Sequence, residues 1–136
     1  MQVISWLPEL RLPIEKVLTK IEPEWFAMTS LFFEGDISTT IVVNEHTTKR
    51  KFNYNIYSIK EVERIAAEYG YLVSRCQKFQ MPTDLPKPSN NDLMTTYTRR
   101  VCDGENVELL QISGPLLMPW YMLMLEKNGE WFNGSF

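Results

Sequence analysis

The stretch Arg50–Gly70, RKFNYNIYSIKEVERIAAEYG, changes its hydrophobic period partway along and thereby decides the fold class. Over residues 50–57, Phe52, Tyr54 and Ile56 fall on one side and Lys51, Asn53 and Asn55 on the other, the alternation of a half-buried strand. At Ser58 the pattern switches. Ser58-Ile59-Lys60-Glu61 has the form of a capping box, in which the serine hydroxyl accepts from the third helical N–H and the glutamate reaches back to the cap's own N–H. Ile59, Val62, Ile65, Ala66 and Tyr69 then recur at helical spacing, and Gly70 supplies the left-handed residue that ends a helix. A strand feeding directly into an amphipathic helix predicts an α+β protein.

Upstream, Ile14, Val17, Leu18 and Ile21 share one face of a helix predicted over residues 13–21, with Pro13 in its first turn and Pro23 as its stop. Residues 27–33 are apolar and end at the turn Glu34-Gly35-Asp36, and Ile37, Thr39, Ile41 and Val43 alternate with polar neighbours. With the 50–57 strand these segments predict a three-stranded antiparallel meander. Downstream, a strand over residues 71–79 precedes a proline-rich run, 80–92, that belongs at the surface because prolines and self-bonding polar side chains keep it irregular. Strands follow over 93–101 and 107–112, joined at Asp103-Gly104, and Ser113-Gly114-Pro115 breaks the second. The last unit, Trp120–Lys127, is followed by Asn128-Gly129 and Glu130–Phe132, a hairpin signal; a short helix over Met122–Leu125 capped by Gly129 is the competing reading. The expectation is one domain over residues 1–136: a bent, mostly antiparallel sheet of about seven or eight strands, with two helices packed on one face.

Composition narrows the function. The 136 residues carry 14 Lys+Arg against 17 Asp+Glu, and this mild acidity places nucleic acid and anionic membranes low among partners, since both require a concentrated positive field. The longest apolar run, Leu116–Leu125, is half the length of a membrane-spanning helix and contains Pro119. The first ten residues lack the basic start of a signal peptide, so the expected location is cytoplasmic. The two cysteines, Cys76 and Cys102, are expected to be buried or half-buried thiols, free types of cysteine being among the most buried residues. No glycine-rich phosphate loop is present, and His46, Cys76 and Cys102 lack the spacing of a zinc site, so no cofactor and no metal are expected. His46, the sole histidine, falls in a loop and is expected to be exposed and without a catalytic role.

Two constellations remain. The first is basic: Lys49, Arg50 and Lys51 on one strand, Arg99 and Arg100 on another, interleaved with Tyr54, Tyr57 and Tyr97 that could stack bases. Alternation divides each run between two faces, and lysines at strand edges also serve to block edge-to-edge aggregation, so a nucleic-acid module ranks third. The second is apolar: Trp120, Tyr121, Met122, Met124, Trp131 and Phe132, the residue types that interfaces enrich. As a strand, Trp120, Met122 and Met124 share one face while Tyr121, Leu123 and Leu125 share the other; either the strand is central and covered on both sides, which is the preferred reading, or one face is an exposed adhesive surface, an idea that the shortage of helices keeps alive. The leading expectation is therefore a non-enzymatic protein-binding domain (adaptor, inhibitor, chaperone-like or accessory protein) whose partner is another protein, a second copy of this chain included. Its runner-up is a small-molecule pocket, or a simple acid–base enzyme, within an α+β cone.

Overall fold

The computed structural model describes residues 4–89 and 95–128. A 3-10 turn at Ile4–Trp6 leads into α1 (Arg11–Lys16), which continues as a π-helical turn over Val17–Ile21. There follow β1 (Trp25–Phe33), β2 (Val42–Glu45), β3 (Arg50–Asn53), β4 (Tyr57–Ser58), α2 (Ile59–Glu68), β5 (Tyr71–Lys78), β6 (Thr96–Asp103), β7 (Asn106–Ser113), β8 (Leu116–Leu117) and β9 (Trp120–Lys127). The α+β class holds, but the strands divide over three sheets rather than one: a four-stranded sheet ordered β4-β1-β9-β5, a β2-β3 ribbon, and a β6-β7-β8 sheet. β1 and β4 pair in parallel, and the other pairings are antiparallel.

The expected meander forms only in part. Segments 37–45 and 50–56 do pair, through Thr39 with Ile56 and then the β2-β3 ribbon. β1 does not join them, because both of its edges are taken, one by β4 and the other by β9, from Trp25 opposite Glu126 to Leu31 opposite Trp120. Trp120–Lys127 is thus a strand, and an interior one, with β1 on one side and β5 on the other. The hairpin expected from Gly129 onward lies outside the described residues.

Both helices pack on one face of the four-stranded sheet. Met28 and Phe32 of β1 and Tyr121, Leu123 and Leu125 of β9 meet Ile14 and Leu18 of the first helix and Val62, Ile65 and Ala66 of the second in one buried cluster. Burying each such side chain contributes roughly 1.5–3 kcal/mol. Ile21 does not join them and is 69% exposed. The Glu22 N–H bonds to the Val17 carbonyl at 3.2 Å, five residues back, and this wider turn rotates Ile21 off the apolar face. Glu22 then sits at φ 49° and ψ 50°, the left-handed conformation that ends a helix, and Pro23 cannot continue it.

The α2 cap differs from the simple box in one informative way. The Glu61 N–H donates to Ser58 Oγ at 3.2 Å as expected, but the Ser58 N–H donates to Ser38 Oγ at 2.9 Å, and that hydroxyl donates onward to Glu61 Oε2 at 2.6 Å. Ser38 thus relays the reciprocal bond and ties the 37–41 segment to the helix start. Gly70, at φ 75°, ends the helix in the left-handed region. Bidentate pairs, Arg11 with Glu68 and Arg64 with Asp36, brace the solvent side of α2.

A second anchor is Asn55, fully buried. Its N–H donates to the Ser5 carbonyl at 2.8 Å, and its side chain accepts from the Ile41 N–H at 3.2 Å. Asn55 Nδ2 donates to the Leu7 carbonyl at 2.8 Å and to Tyr57 Oη at 2.9 Å, while that phenol donates to the same Leu7 carbonyl at 2.8 Å. A buried amide is tolerated because its hydrogen-bonding capacity is met, and here meeting it fastens the N-terminal turn to the β3–β4 connection.

Candidate functional site

The face of the four-stranded sheet that the helices leave uncovered is built from alternate residues of its three long strands. On β9 it presents Trp120, Met122 and Met124, each half-buried, while Tyr121, Leu123 and Leu125 point into the core. On β1 the cross-strand partners of those residues are Leu31, Thr29 and Ala27. On β5, Gln77 lies opposite Met122 and Arg75 opposite Met124, after a bulge at Ser74. At one end Glu126 separates Trp25 from Leu72, which are 60% and 43% exposed.

The opposite end of this face is covered. Leu31 is 1% exposed although it points away from the helices. Phe79, Met81 and Gln111 close over Thr29 and Trp120, leaving a cavity of about 160 Å³. Trp120 Nε1 is buried there with no hydrogen-bond acceptor among the described residues. The covering layer is itself fastened: Leu85 donates to Thr98 Oγ1 at 2.7 Å and accepts from the Thr98 N–H at 3.0 Å, so the start of the proline-rich run lies along the edge of β6. Met118 and Tyr97 are buried within this layer.

Of the apolar residues singled out in the sequence, Trp120, Met122 and Met124 therefore come together on one face. Tyr121 goes to the other, where its Oη donates to Glu34 Oε1 at 2.9 Å; burial first, and then that carboxylate, pushes the phenol up to about 12. Trp131 and Phe132 lie outside the described residues. Trp25 and Leu72, which complete the patch, carry no local mark in the sequence, because their membership depends on β1 and β5 flanking β9.

The basic residues are not gathered into one patch by a shared sheet. Lys49 occupies the β2–β3 turn at φ 57°, and Arg50 and Lys51 point to opposite faces of the ribbon. Arg99 and Arg100 point to opposite faces of β6, with Arg100 3.5 Å from Asp84. Tyr57 and Tyr97 are both buried, so their rings are withdrawn from any stacking role. The thiols overturn the expectation of burial: Cys76 and Cys102 are both exposed and free, and both lie on edge strands, β5 and β6, where a side chain has a neighbouring strand on one side alone. Partial desolvation beside the sheet, reinforced by Glu34 and Glu63, pushes the Cys76 thiol up. His46 is exposed in the β2–β3 turn. Among the described residues, no group of three or more His, Cys, Asp or Glu could hold a metal, and no helix is long and apolar enough to cross a membrane.

Comparison with protein-family models, with curated proteins and with solved structures gives no match, and the functional reading rests on the residues of this chain.

Proposed function

We propose that this protein is a protein-binding domain that works through the uncovered face of its four-stranded sheet, with Met122 and Met124 at the centre, Trp120 at the covered end and Trp25 and Leu72 at the rim. One observation carries the reading: both helices pack on the same side of the sheet, so on the other side, beyond the end covered over Trp120, Met122 and Met124 are left half-buried and Trp25 and Leu72 exposed. Aromatic residues and methionine are what interface centres enrich, and methionine adapts its shape to a partner at low cost. The bulge at Ser74 and the charge of Arg75 guard the open β5 edge against strand addition, and Lys78 at its end is paired with Glu108 of β7, which leaves the face rather than the edge as the place to dock. An interface of ordinary size takes about 800 Å² per partner, so contacts extend from the apolar row onto Arg75 and Gln77.

A second copy of the chain is the first partner to test. Light scattering from micromolar to millimolar protein, with and without reductant, is expected to show a dimer insensitive to reductant that Met124→Glu dissociates without loss of fold. A wild-type monomer at millimolar concentration rules out the self-association form. If, in addition, methyl resonances of Met122 and Met124 are indifferent to hydrophobic peptide probes, the protein-binding reading fails.

A further inference from the structure

A second concavity, on the opposite side of the N-terminal turn, has no part in the sheet face. It is a cleft of about 400 Å³ lined by Trp6, Glu45, Arg50, Phe52 and Tyr54. Three of its five walls are aromatic. Tyr54 meets Trp6 edge-to-face with ring centroids 6.4 Å apart and planes at 86°, and meets Phe52 at 5.6 Å and 71°. Trp6 is 55% exposed, although Ile4 and Ser5 beside it are fully buried. An exposed indole on a fixed support is an unusual use of a large apolar side chain. Here the support is the Asn55 network on one side and the Tyr54 N–H bond to the Ile41 carbonyl, at 3.0 Å, on the other.

The two polar walls are opposite in charge and directly opposite in register, Glu45 on β2 and Arg50 on β3. Among the described residues their side chains form no ion pair with each other, and the Arg50 guanidinium has no hydrogen-bonding partner, whereas the Glu45 carboxylate accepts one bond, from Thr48 Oγ1. The cleft therefore offers an unspent guanidinium with five donors and a carboxylate with one oxygen still open.

These features select a ligand class. Aromatic walls standing at right angles cannot sandwich a flat base, which needs a parallel slot, but they do cradle a rounded cation, and a carboxylate beside them adds to that attraction. A simple cation leaves Arg50 opposed, and a simple anion leaves Glu45 opposed; a ligand with both charges satisfies both. We infer that the cleft binds a small zwitterion of the betaine type, a quaternary ammonium and a carboxylate a few bonds apart, with the ammonium against Trp6, Phe52, Tyr54 and Glu45 and the carboxylate held by the Arg50 fork. Bidentate geometry is what arginine supplies to a carboxylate and lysine does not.

The test is titration of the full chain with glycine betaine, followed by calorimetry and tryptophan fluorescence, with choline as the cation-only probe. Glycine betaine is expected to bind saturably, about tenfold tighter than choline. Arg50→Gln should remove the preference for betaine over choline, with choline, no longer opposed by the guanidinium, binding at least as well as before, while Glu45→Gln weakens both. Both substitutions are at ribbon positions outside the core, and thermal unfolding checks that the fold persists. Trp6→Leu should remove binding and most of the fluorescence response. Absence of saturable betaine binding up to roughly 100 mM overturns the assignment. So does choline binding as tightly as betaine, or an Arg50→Gln variant that binds betaine normally.

Discussion

Replacing Asn55 by alanine isolates the buried network that holds the N-terminal turn. The side chain is fully buried and makes three hydrogen bonds, to the Ile41 N–H, the Leu7 carbonyl and Tyr57 Oη. Truncation does not orphan all three partners. The Leu7 carbonyl keeps the Tyr57 phenol as donor, and that phenol keeps the carbonyl as acceptor. The Ile41 N–H loses its acceptor outright, which costs about 1–3 kcal/mol, and the vacated amide leaves a small cavity that adds about 1 kcal/mol. The expected loss is therefore about 3 kcal/mol, a large share of the 5–15 kcal/mol typical of a domain. Urea unfolding should show a lower midpoint with an unchanged slope, and the melting temperature should fall by roughly 10 °C. Trp6 sits between Ser5 and Leu7, whose carbonyls make these contacts, so its emission should redden at temperatures well below global unfolding. A loss under about 1 kcal/mol, with Trp6 emission unaltered, would refute the view that Asn55 fastens the turn.

Other outcomes follow from the same geometry. Leu123→Ala, at a fully buried position in an interior strand, should cost about 2–5 kcal/mol in chemical denaturation, more than any single substitution on the uncovered face. Ser38→Ala removes the hydroxyl that accepts from the Ser58 N–H and donates to Glu61; a loss of about 1 kcal/mol is expected, and amide exchange at Ser58 should accelerate more than at Ile65. Tyr121 is raised to about 12 while an unfolded tyrosine titrates near 10, so its contribution to stability is complete below pH of about 10 and disappears as pH rises through about 12. Ultraviolet titration should show its phenolate forming last among the tyrosines, and Tyr121→Phe should make the protein less sensitive to alkali across that window.

Legibility in the sequence followed the range of the interactions involved. α2 was readable to its last turn because its cap, its apolar face and Gly70 are all local, and even so the Ser38 relay was not, since it comes from 20 residues upstream. The β6-β7 turn was equally plain: Asp103 lies opposite Asn106 and Gly104 takes φ 60°, a conformation its neighbours adopt only at a cost. Strand partners distant in the chain were not legible. The apolar run of residues 27–33 says that a strand exists and is silent on whether its neighbour is β2 or β9. The division of β9 into a Trp120, Met122 and Met124 face and a Tyr121, Leu123 and Leu125 face was readable from period alone, but which face meets the helices depends on the sense in which β1 and β5 bring their own faces alongside. Ile21 and the two thiols were misjudged for a related reason: helical spacing assumes a regular helix, and cysteine's tendency to be buried is an average over proteins that says nothing of an edge strand.

The order β4-β1-β9-β5 has a consequence for how the chain is made. β9 is the last of the described strands to leave the ribosome, yet it fills the middle of the sheet. Until it arrives, β1 and β5 each present a long bare edge, and Leu123 and Leu125 have yet to reach the hydrophobic cluster that the helices are to cover. The nascent chain therefore carries a gap at the centre of this sheet until residues 120–127 emerge, a state prone to illicit strand pairing and suited to shielding by a chaperone. Closing the gap is a long-range event that commits the whole sheet at once, so folding is expected to be slow, cooperative and late.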